Sequence, residues 1–344
     1  MKYSLHHTTE IKTKLSKRPL RIGIVYDRPE DYDHPEGPPD RFAEFEPDST
    51  IKAMEEAIRY LGHIPLRIGS PHKLLSPPSD VDLIWNIGEG YGTRNREAWA
   101  PVLCEMHELP YVGSDALTLS MTLDKALTKE MASHIGIPTT PFSVVPYSSD
   151  QKLTLSSDEH LLDTFPLFIK PRYEGTAKGI SPLSIISTRE QLISSILKLM
   201  NEYRQDILVE PFLPGPELTC AVAGYPLIPL PVMERGIHRS GLGSHVPGLK
   251  PSDPIQTFDV LSPELESRIA AWSKALSEKM HILDFARFDF KLDAQGNPYF
   301  LEVNPLPTFA TDSTFAILAE LEQKPYPEYL GEILSHAIRR LKTT

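Results

Sequence analysis

The sequence predicts a mixed α/β (α+β) protein of two or three domains, and three observations carry that expectation. Its 344 residues, 40% of them hydrophobic, suffice to bury more than one core. Near the N-terminus, short β-branched runs separated by one amphipathic helix follow the strand–helix–strand order of an α/β layer with a parallel sheet. Near the C-terminus, two runs of alternating apolar residues flank a cluster of Gly and Asx residues, the pattern of an antiparallel hairpin.

Composition narrows the functional classes. A net charge of −11 and a pI near 5.6 speak against a nucleic acid or an anionic membrane surface as the main partner, while leaving room for a local basic pocket that takes small anions. The 33 prolines point to many loops and short elements. Only Cys104 and Cys220 are present, each among apolar residues and in no metal-ligand spacing, so both read as buried free thiols. Residues 1–18 are basic without an apolar segment, and nowhere do ~18 uncharged apolar residues run together. A soluble, cytoplasmic chain with a loose N-terminal tail is expected.

Taken in order, residues 20–26 (LRIGIVY), 64–68 and 81–87 (VDLIWNI) are expected strands. A helix over about 49–61 links the first two, with Ile51, Met54, Ala57, Ile58 and Leu61 on its apolar stripe and Asp48 placed to cap it. Ligands of such sheets gather beyond the carboxyl ends of the strands. The acidic, Pro-rich stretch 27–48 is long for a simple connection, and is either a substrate-side lid or a surface excursion. The loop at 88–99 (GEGYGTRNREAW) carries three glycines with Arg94, Arg96 and Glu97, and leads to a helix near 101–107. Gly113, Ser114 and Asp115 form a turn; residues 118–135 read as one helix with Lys125 and Lys129 on one face, stopped by Gly136-Ile137-Pro138. Taken alone, that lysine pair is an ordinary solvated face.

Residues 165–171 (FPLFIKP) form an apolar strand with one lysine, Lys170, which needs an anionic partner because an unpaired buried ammonium is costly. The loop EGTAKG at 174–179 offers backbone N–H groups that phosphate oxygens can approach, although it matches neither the P-loop nor G-x-G-x-x-G. A helix over 189–203 precedes a strand over 207–210 that ends in Glu210, and residues 211–215 form a connector suited to a flat base. Glu217 stands on a strand over 217–222, sharing a face with Thr219 and opposed to Leu218 and Cys220. A strand over 227–233 leads to an expected flap at 234–254, with four glycines and with Arg235, His238, Arg239 and Lys250 available to anions. Helices over 263–279 and 329–341 bracket the hairpin, the second with Leu330, Ile333, Leu334, Ala337, Ile338 and Leu341 inward.

The hairpin itself pairs 286–292 with 299–303 around DAQGN at 293–297. Pairing symmetric about Gln295-Gly296 sets Asp289 opposite Glu302 and Arg287 opposite Asn304, all four on one face. Phe288, Phe290, Leu292, Leu301 and Val303 then share the other. Facing carboxylates repel, so folding alone does not favour the pair. A cation resolves it: two carboxylates and an Asn carbonyl suit Mg²⁺ or Mn²⁺, whose other ligands come from water and phosphate. Arg287 beside them could stabilise charge developing in a transition state. For the hairpin alone, a solvated face with mixed charges is the plain alternative.

Together these pieces resemble the ATP-grasp ligases, and within them the D-alanine–D-alanine ligase family. The likeness spans about residues 80–320, through LPYVGSDALTLSMTLDKALTK, FPLFIKPRYEGTAKGIS, LVEPFLPGPELT and RFDFKLDAQGNPYFLEVNPLP in order. It implies a three-domain fold: a parallel α/β domain over 19–118, then two α+β domains, 119–206 and 207–344, gripping ATP. By the same resemblance Lys125 and Lys170 are the phosphate lysines, and Glu174, Gly175, Thr176, Ala177 and Lys178 belong to the phosphate-covering loop. Glu210, Phe212 and Leu213 grip adenine and Glu217 the ribose. Asp289, Glu302 and Asn304 hold two Mg²⁺ ions, with Mn²⁺ as a substitute, and Arg287 stabilises the oxyanion. Lys250 approaches the γ-phosphate, Ser313 holds the second substrate's carboxylate, and Glu44 or Glu46 takes the first substrate's amino group. The implied reaction is ATP-dependent ligation of a carboxylate and an amine through an acyl phosphate, on amino acids or small peptides, in a homodimer built through the N-terminal domain.

Departures from the family fall on the substrate side. The first loop is the long 27–48 stretch, the phosphate-loop serine is Thr176, Pro251 replaces a flap tyrosine, Thr308 replaces a glycine, and the E-D-G stretch is replaced around Arg96-Glu97. Each removes a reason to assume D-alanine. A ligase for another amino acid or peptide pair in specialised metabolism therefore stays open, as does an ATP-binding scaffold without turnover. Arg287 together with all three metal ligands speaks against the scaffold, which needs neither.

Overall fold

A computed structural model describes residues 19–32, 37–150, 153, 159–162, 164–235 and 261–343. Strands β1 (Arg21–Val25), β2 (Ile64–Gly69), β3 (Leu83–Asn86) and β4 (Tyr111–Val112) form a parallel sheet of order β2-β1-β3-β4. The amphipathic helix α1 (Asp48–Tyr60) buries Ile51, Met54, Ala57 and Ile58 against it. Helix α2 (Trp99–Met106) follows the glycine loop, and α3 (Ala116–Leu123) and α4 (Lys125–His134) lead away from the sheet.

A second sheet is antiparallel, of order β5-β8-β6-β7, from β5 (Ser143–Val145), β6 (Leu167–Pro171), β7 (Ile185–Ile186) and β8 (Ile207–Pro211). Helix α5 (Arg189–Tyr203) closes its core through Leu192, Ile196 and Met200. The third sheet runs β10-β9-β12-β13 with β11 also on β9, from β9 (Glu217–Ala223), β10 (Ile228–Pro229), β11 (Met233–Arg235), β12 (Phe285–Leu292) and β13 (Pro298–Asn304). Helix α6 (Pro263–Lys279) covers its apolar face, and α7 (Thr314–Leu321) and α8 (Tyr326–Thr343) return to the first sheet. Phe309 ties the two ends of the molecule, stacking edge-on against Trp85 of β3 and Phe285 of β12. Arg340 of α8 adds a buried clasp, donating to Asp284 at 2.7 Å from two nitrogens, while Asp284 also accepts from the Gly113 N–H at 2.8 Å.

Several local expectations need correction. Asp48 is the first residue of α1 instead of its cap, and its carboxylate pairs with Arg67 and Lys52. The helix expected over 118–135 breaks at Asp124, which ends α3 and caps α4 by accepting from the Ala126 and Leu127 N–H groups. The strand expected over 227–233 divides into β10 and β11 around Leu230-Pro231, where proline interrupts the ladder. In the hairpin, Asp289 does face Glu302 and Arg287 faces Asn304, but the register slips after Asp289 so that Phe290 faces Phe300. Leu301 is the extra residue of that bulge. Phe300, not Leu301, therefore joins Phe288, Phe290, Leu292 and Val303 in the core. Cys104 and Cys220 are buried free thiols, as expected.

Candidate active site

The face of the hairpin opposite that core carries the site. Alternation along β12 and β13 sends Asp289, Glu302 and Asn304 to one side, and β9 adds Thr219 from the neighbouring ladder. Asp289 accepts from Thr219 at 2.7 Å, from Arg287 Nη2 at 2.8 Å and Nε at 3.0 Å, and from Asn304 at 3.2 Å. Burial alone pushes its carboxyl up, but Arg287 and Arg235 outweigh that and hold it below the ordinary range. Glu302 behaves likewise: burial is offset by Lys125 and Lys170, with the Lys125 ammonium at 3.2 Å. Both facing acids are thus ionised. They and the Asn304 amide offer hard oxygen donors of the kind Mg²⁺ takes. Among the described residues no three His, Cys, Asp or Glu side chains converge on one point, so an ion here would draw its remaining ligands from water and phosphate.

Lys170 finds the anion its burial demands. Its ammonium lies 2.7 Å from Glu210 Oε1, and Lys129 lies 2.7 Å from Glu210 Oε2, which also accepts from Thr140 at 2.6 Å. Burial would raise the Glu210 carboxyl; the two lysines hold it far below the usual value. Lys129 is therefore fully buried and paired, not part of a solvated face, which its four-residue spacing from Lys125 signalled only weakly. Lys170, Glu210, Phe212, Leu213 and Glu217 line one cleft between the second and third sheets, joined there by Asp289 and Glu302. Lys291, directly across the ladder from Glu217, reaches its carboxylate at 3.2 Å.

The loop at 174–179 is shaped by backbone strain, with Thr176 and Ala177 both left-handed at φ +47° and +56°. Lys125 donates to the Glu174 carbonyl, and Lys178 pairs with Glu174. Within the 27–48 stretch, residues 40 and 44 reach across to this loop. Glu44 accepts from the Gly175 N–H at 2.7 Å, from Arg96 at 2.8 Å and from Lys178 at 2.5 Å. Asp40 accepts from the Gly179 N–H at 2.9 Å and from Tyr203 at 2.6 Å. This stretch therefore packs on the 174–179 loop through Glu44, whose union with Arg96 and Lys178 the family pattern did not foresee.

A second cleft, of about 430 Å³, adjoins the first at Glu302 and is lined by Glu46, Lys125, Thr176, Arg287, Glu302, Asn304 and Thr308. Glu46 accepts from Thr50 at 2.8 Å, and burial raises its carboxyl despite a bond from Thr308. Ser313 is buried but caps α7, accepting from the Ala316 N–H at 3.4 Å. Next to it, Arg235 donates to Thr314 and Thr219, each at 2.9 Å. Lys250, His238 and Arg239, with all of 236–260, lie outside the described residues.

Three sheets meeting at one carboxylate-bearing hairpin, with buried lysines and a strained covering loop, define an ATP-grasp ligase. Residues 131–335, more than half of the chain, match the family model described as the D-ala D-ala ligase C-terminus. The D-alanine–D-alanine ligase of Aquifex aeolicus is 28% identical over 295 residues, 83% of this chain and 94% of that one. An uncharacterized protein of Sinorhizobium fredii, y4sG, is also 28% identical, over 310 residues, 85% of this chain and 87% of its own. Among solved structures, the D-alanine–D-alanine ligase of Bacillus anthracis complexed with ATP superposes with a TM-score of 0.69 at 21% identity, covering 94% and 99% of the two chains. The VanG D-Ala:D-Ser ligase of Enterococcus faecalis gives 0.71 at 17%, covering 93% and 100%. The chain belongs to the D-alanine–D-alanine ligase family.

Proposed function

We propose that the protein joins the carboxylate of one amino acid or small peptide to the amine of another, coupled to ATP through an acyl phosphate. What supports this above all is the position of Glu302, which lies on the wall of both clefts. The cleft with Lys170, Glu210, Phe212, Leu213 and Glu217 takes the nucleotide; the cleft with Arg287 and Asn304 takes the substrates; the two meet at the Asp289–Glu302 pair. The ATP in the Bacillus anthracis relative and the names of the family members support the same assignment.

In this reading Lys125 and Lys170 neutralise phosphate oxygens, residues 174–179 close over them, and Glu46 takes a substrate ammonium. Asp289, Glu302 and Asn304 would hold two Mg²⁺ ions, which when bound offset charge on the phosphates. A substrate carboxylate oxygen attacks the γ-phosphorus and ADP leaves. The amine nitrogen then attacks the acyl carbon and gives up a proton, and inorganic phosphate departs. Arg287 and a backbone N–H near Thr308 carry the oxyanion between these events. Ser313 would leave its capping bond to reach the second substrate's carboxylate, and Lys250 would come in over the γ-phosphate. The lid latched by Glu44 excludes water from the acyl phosphate. We read the three sheets as domains 19–118, 119–206 and 207–344, the assembly as a homodimer and the compartment as the cytoplasm; no described helix is long and apolar enough to cross a membrane.

Phosphate release from ATP that depends on added amino acids, with mass spectrometry of the product, tests the reaction. ATP binding without amino-acid-dependent ADP would overturn it. Asp289→Asn and Glu302→Gln should each lower turnover by about a thousandfold or more, as loss of a charge-stabilising group does. Activity persisting in both variants would remove the metal assignment.

A further inference from the structure

The 430 Å³ cleft beside Arg287 is lined by six carboxylates and only two cations, Lys125 and Arg287. Two of the acids are matched: Glu44 by Arg96 and Lys178, and Glu302 by Lys125. Arg287 is itself matched to Asp289. That leaves Glu46 and Asp312 at the end near Thr308, and Glu89 and Glu97 at the end near Glu44. Glu97 is 6% exposed and lines the cleft, yet among the described residues it makes no side-chain hydrogen bond and no ion pair. The cations it faces, Arg96, Lys178 and Lys125, are engaged by Glu44, Glu174 and Glu302, so a carboxylate buried this far with no hydrogen bond of its own is costly and calls for an occupant that completes it.

The pair of acids is built into the fold. Gly90 sits at φ +68°, where a Cβ would meet the Arg96 carbonyl oxygen at 2.7 Å, and its N–H donates to Asp27 at 2.9 Å. Arg96 is pinned in turn by the Tyr173 carbonyl at 2.9 Å and by Glu44. Glu89 precedes one fixed residue and Glu97 follows the other, so the two carboxylates are held together at one end of the cleft. Burial pushes both upward, helped by Glu97 at Glu89 and by Glu44 at Glu97, and Glu97 reaches about 7 although Arg96, Lys125 and Lys178 pull it down. An organic cation completes the site: it brings positive charge and N–H donors to two acceptors in a cavity of substrate size.

We propose that Glu89 and Glu97 recognise a cationic side chain, so that the amino-acid substrate is a basic one, carrying an ammonium or guanidinium beyond the groups that react. The inference rests on the ligase reading, in which Glu46 takes the α-ammonium, and adds a second positive charge at the opposite end of the same cleft. Neither small neutral amino acids nor acidic ones satisfy that end.

Calorimetric titration of the full chain, saturated with a non-hydrolysable ATP analogue, tests this without turnover. The probes are lysine, ornithine and arginine, with norleucine as the uncharged control, each in both hands. At least one basic amino acid should bind at least about tenfold more tightly than norleucine of the same hand. That preference should fall to within about twofold in Glu97→Gln and in Glu89→Gln. Comparing lysine with arginine separates ammonium from guanidinium. Equal affinity for norleucine and every basic amino acid, or no binding of any basic one, overturns the inference. So does a preference that survives both substitutions, in which case the acids only shape the loop. Glutamine replaces either acid isosterically, and the second variant stands in should the first fail to fold. ADP release measured alongside keeps the two claims apart: selective binding without ADP sinks the ligase reading alone, and ADP release with neutral amino acids only sinks the subsite alone.

Discussion

Glu44 and Glu210 are each set between two cations, and burial is what makes those contacts strong. Desolvation by itself would raise both carboxyls; Arg96 and Lys178 bring Glu44 down to about 2, and Lys129 and Lys170 hold Glu210 lower still. In the unfolded chain Glu44 titrates near 4.5, so its contribution is complete above that pH and is lost as pH falls from there towards 2. Wild type should therefore exceed Glu44→Gln in stability by a constant amount, about 3 kcal/mol, above pH 5. Denaturant midpoints should show the gap closing between about pH 4.5 and 2; a gap independent of pH would contradict the clasp. The need of Lys170 for an anion was legible from its apolar strand. That the anion is Glu210, two places along the neighbouring strand and shared with Lys129 from α4, was not, because side-chain chemistry does not report the register of strands 40 residues apart.

At the scale of elements, local chemistry decided much. A short Asx-Gly turn set the register of the hairpin from inside the segment: the Asp293 N–H donates to the Asn297 carbonyl at 2.9 Å and Gly296 supplies φ +83°. The bulge at Leu301 escaped, since one extra residue leaves no mark on apolar alternation until Phe300 is seen in the core. The break at Asp124 escaped for a related reason. Its carboxylate serves Ala126 and Leu127 locally and Arg172 at 2.7 Å across the chain, and only the second contact makes the interruption worthwhile. The 174–179 loop depends on close packing at its end, where Gly179 has φ +74° and a Cβ would lie 2.6 Å from Pro171 Cγ. Gly179→Ala should cost about 1–3 kcal/mol of stability, by thermal unfolding, and raise KM for ATP by displacing the loop. An unchanged KM would show the loop to be tolerant of that displacement.

The molecule as a whole is held by contacts between distant segments: Glu44 on the 174–179 loop, Phe309 between Trp85 and Phe285, and Arg340 on Asp284. Asp40 latches the lid through Gly179 and Tyr203 without lining the clefts at the hairpin. Asp40→Asn should weaken both bonds, and phosphate release from ATP in the absence of acceptor should rise several-fold as water reaches the acyl phosphate. No change in that ratio would leave the lid a structural cover only. The 27–48 stretch is tied to the 174–179 loop by Glu44 and Asp40, which meet partners more than 130 residues away.

The sequence by itself determined the sheet types, the helices with strong apolar stripes, the facing pair of Asp289 and Glu302, and the family, since each rests on spacing within one segment or on an ordered series of motifs. Tertiary structure alone decided which charges meet: Glu210 with two lysines, and Glu44 with Arg96 and Lys178. Coulomb and desolvation energies act through space and depend on burial, and neither separation nor burial is written in the order of residues.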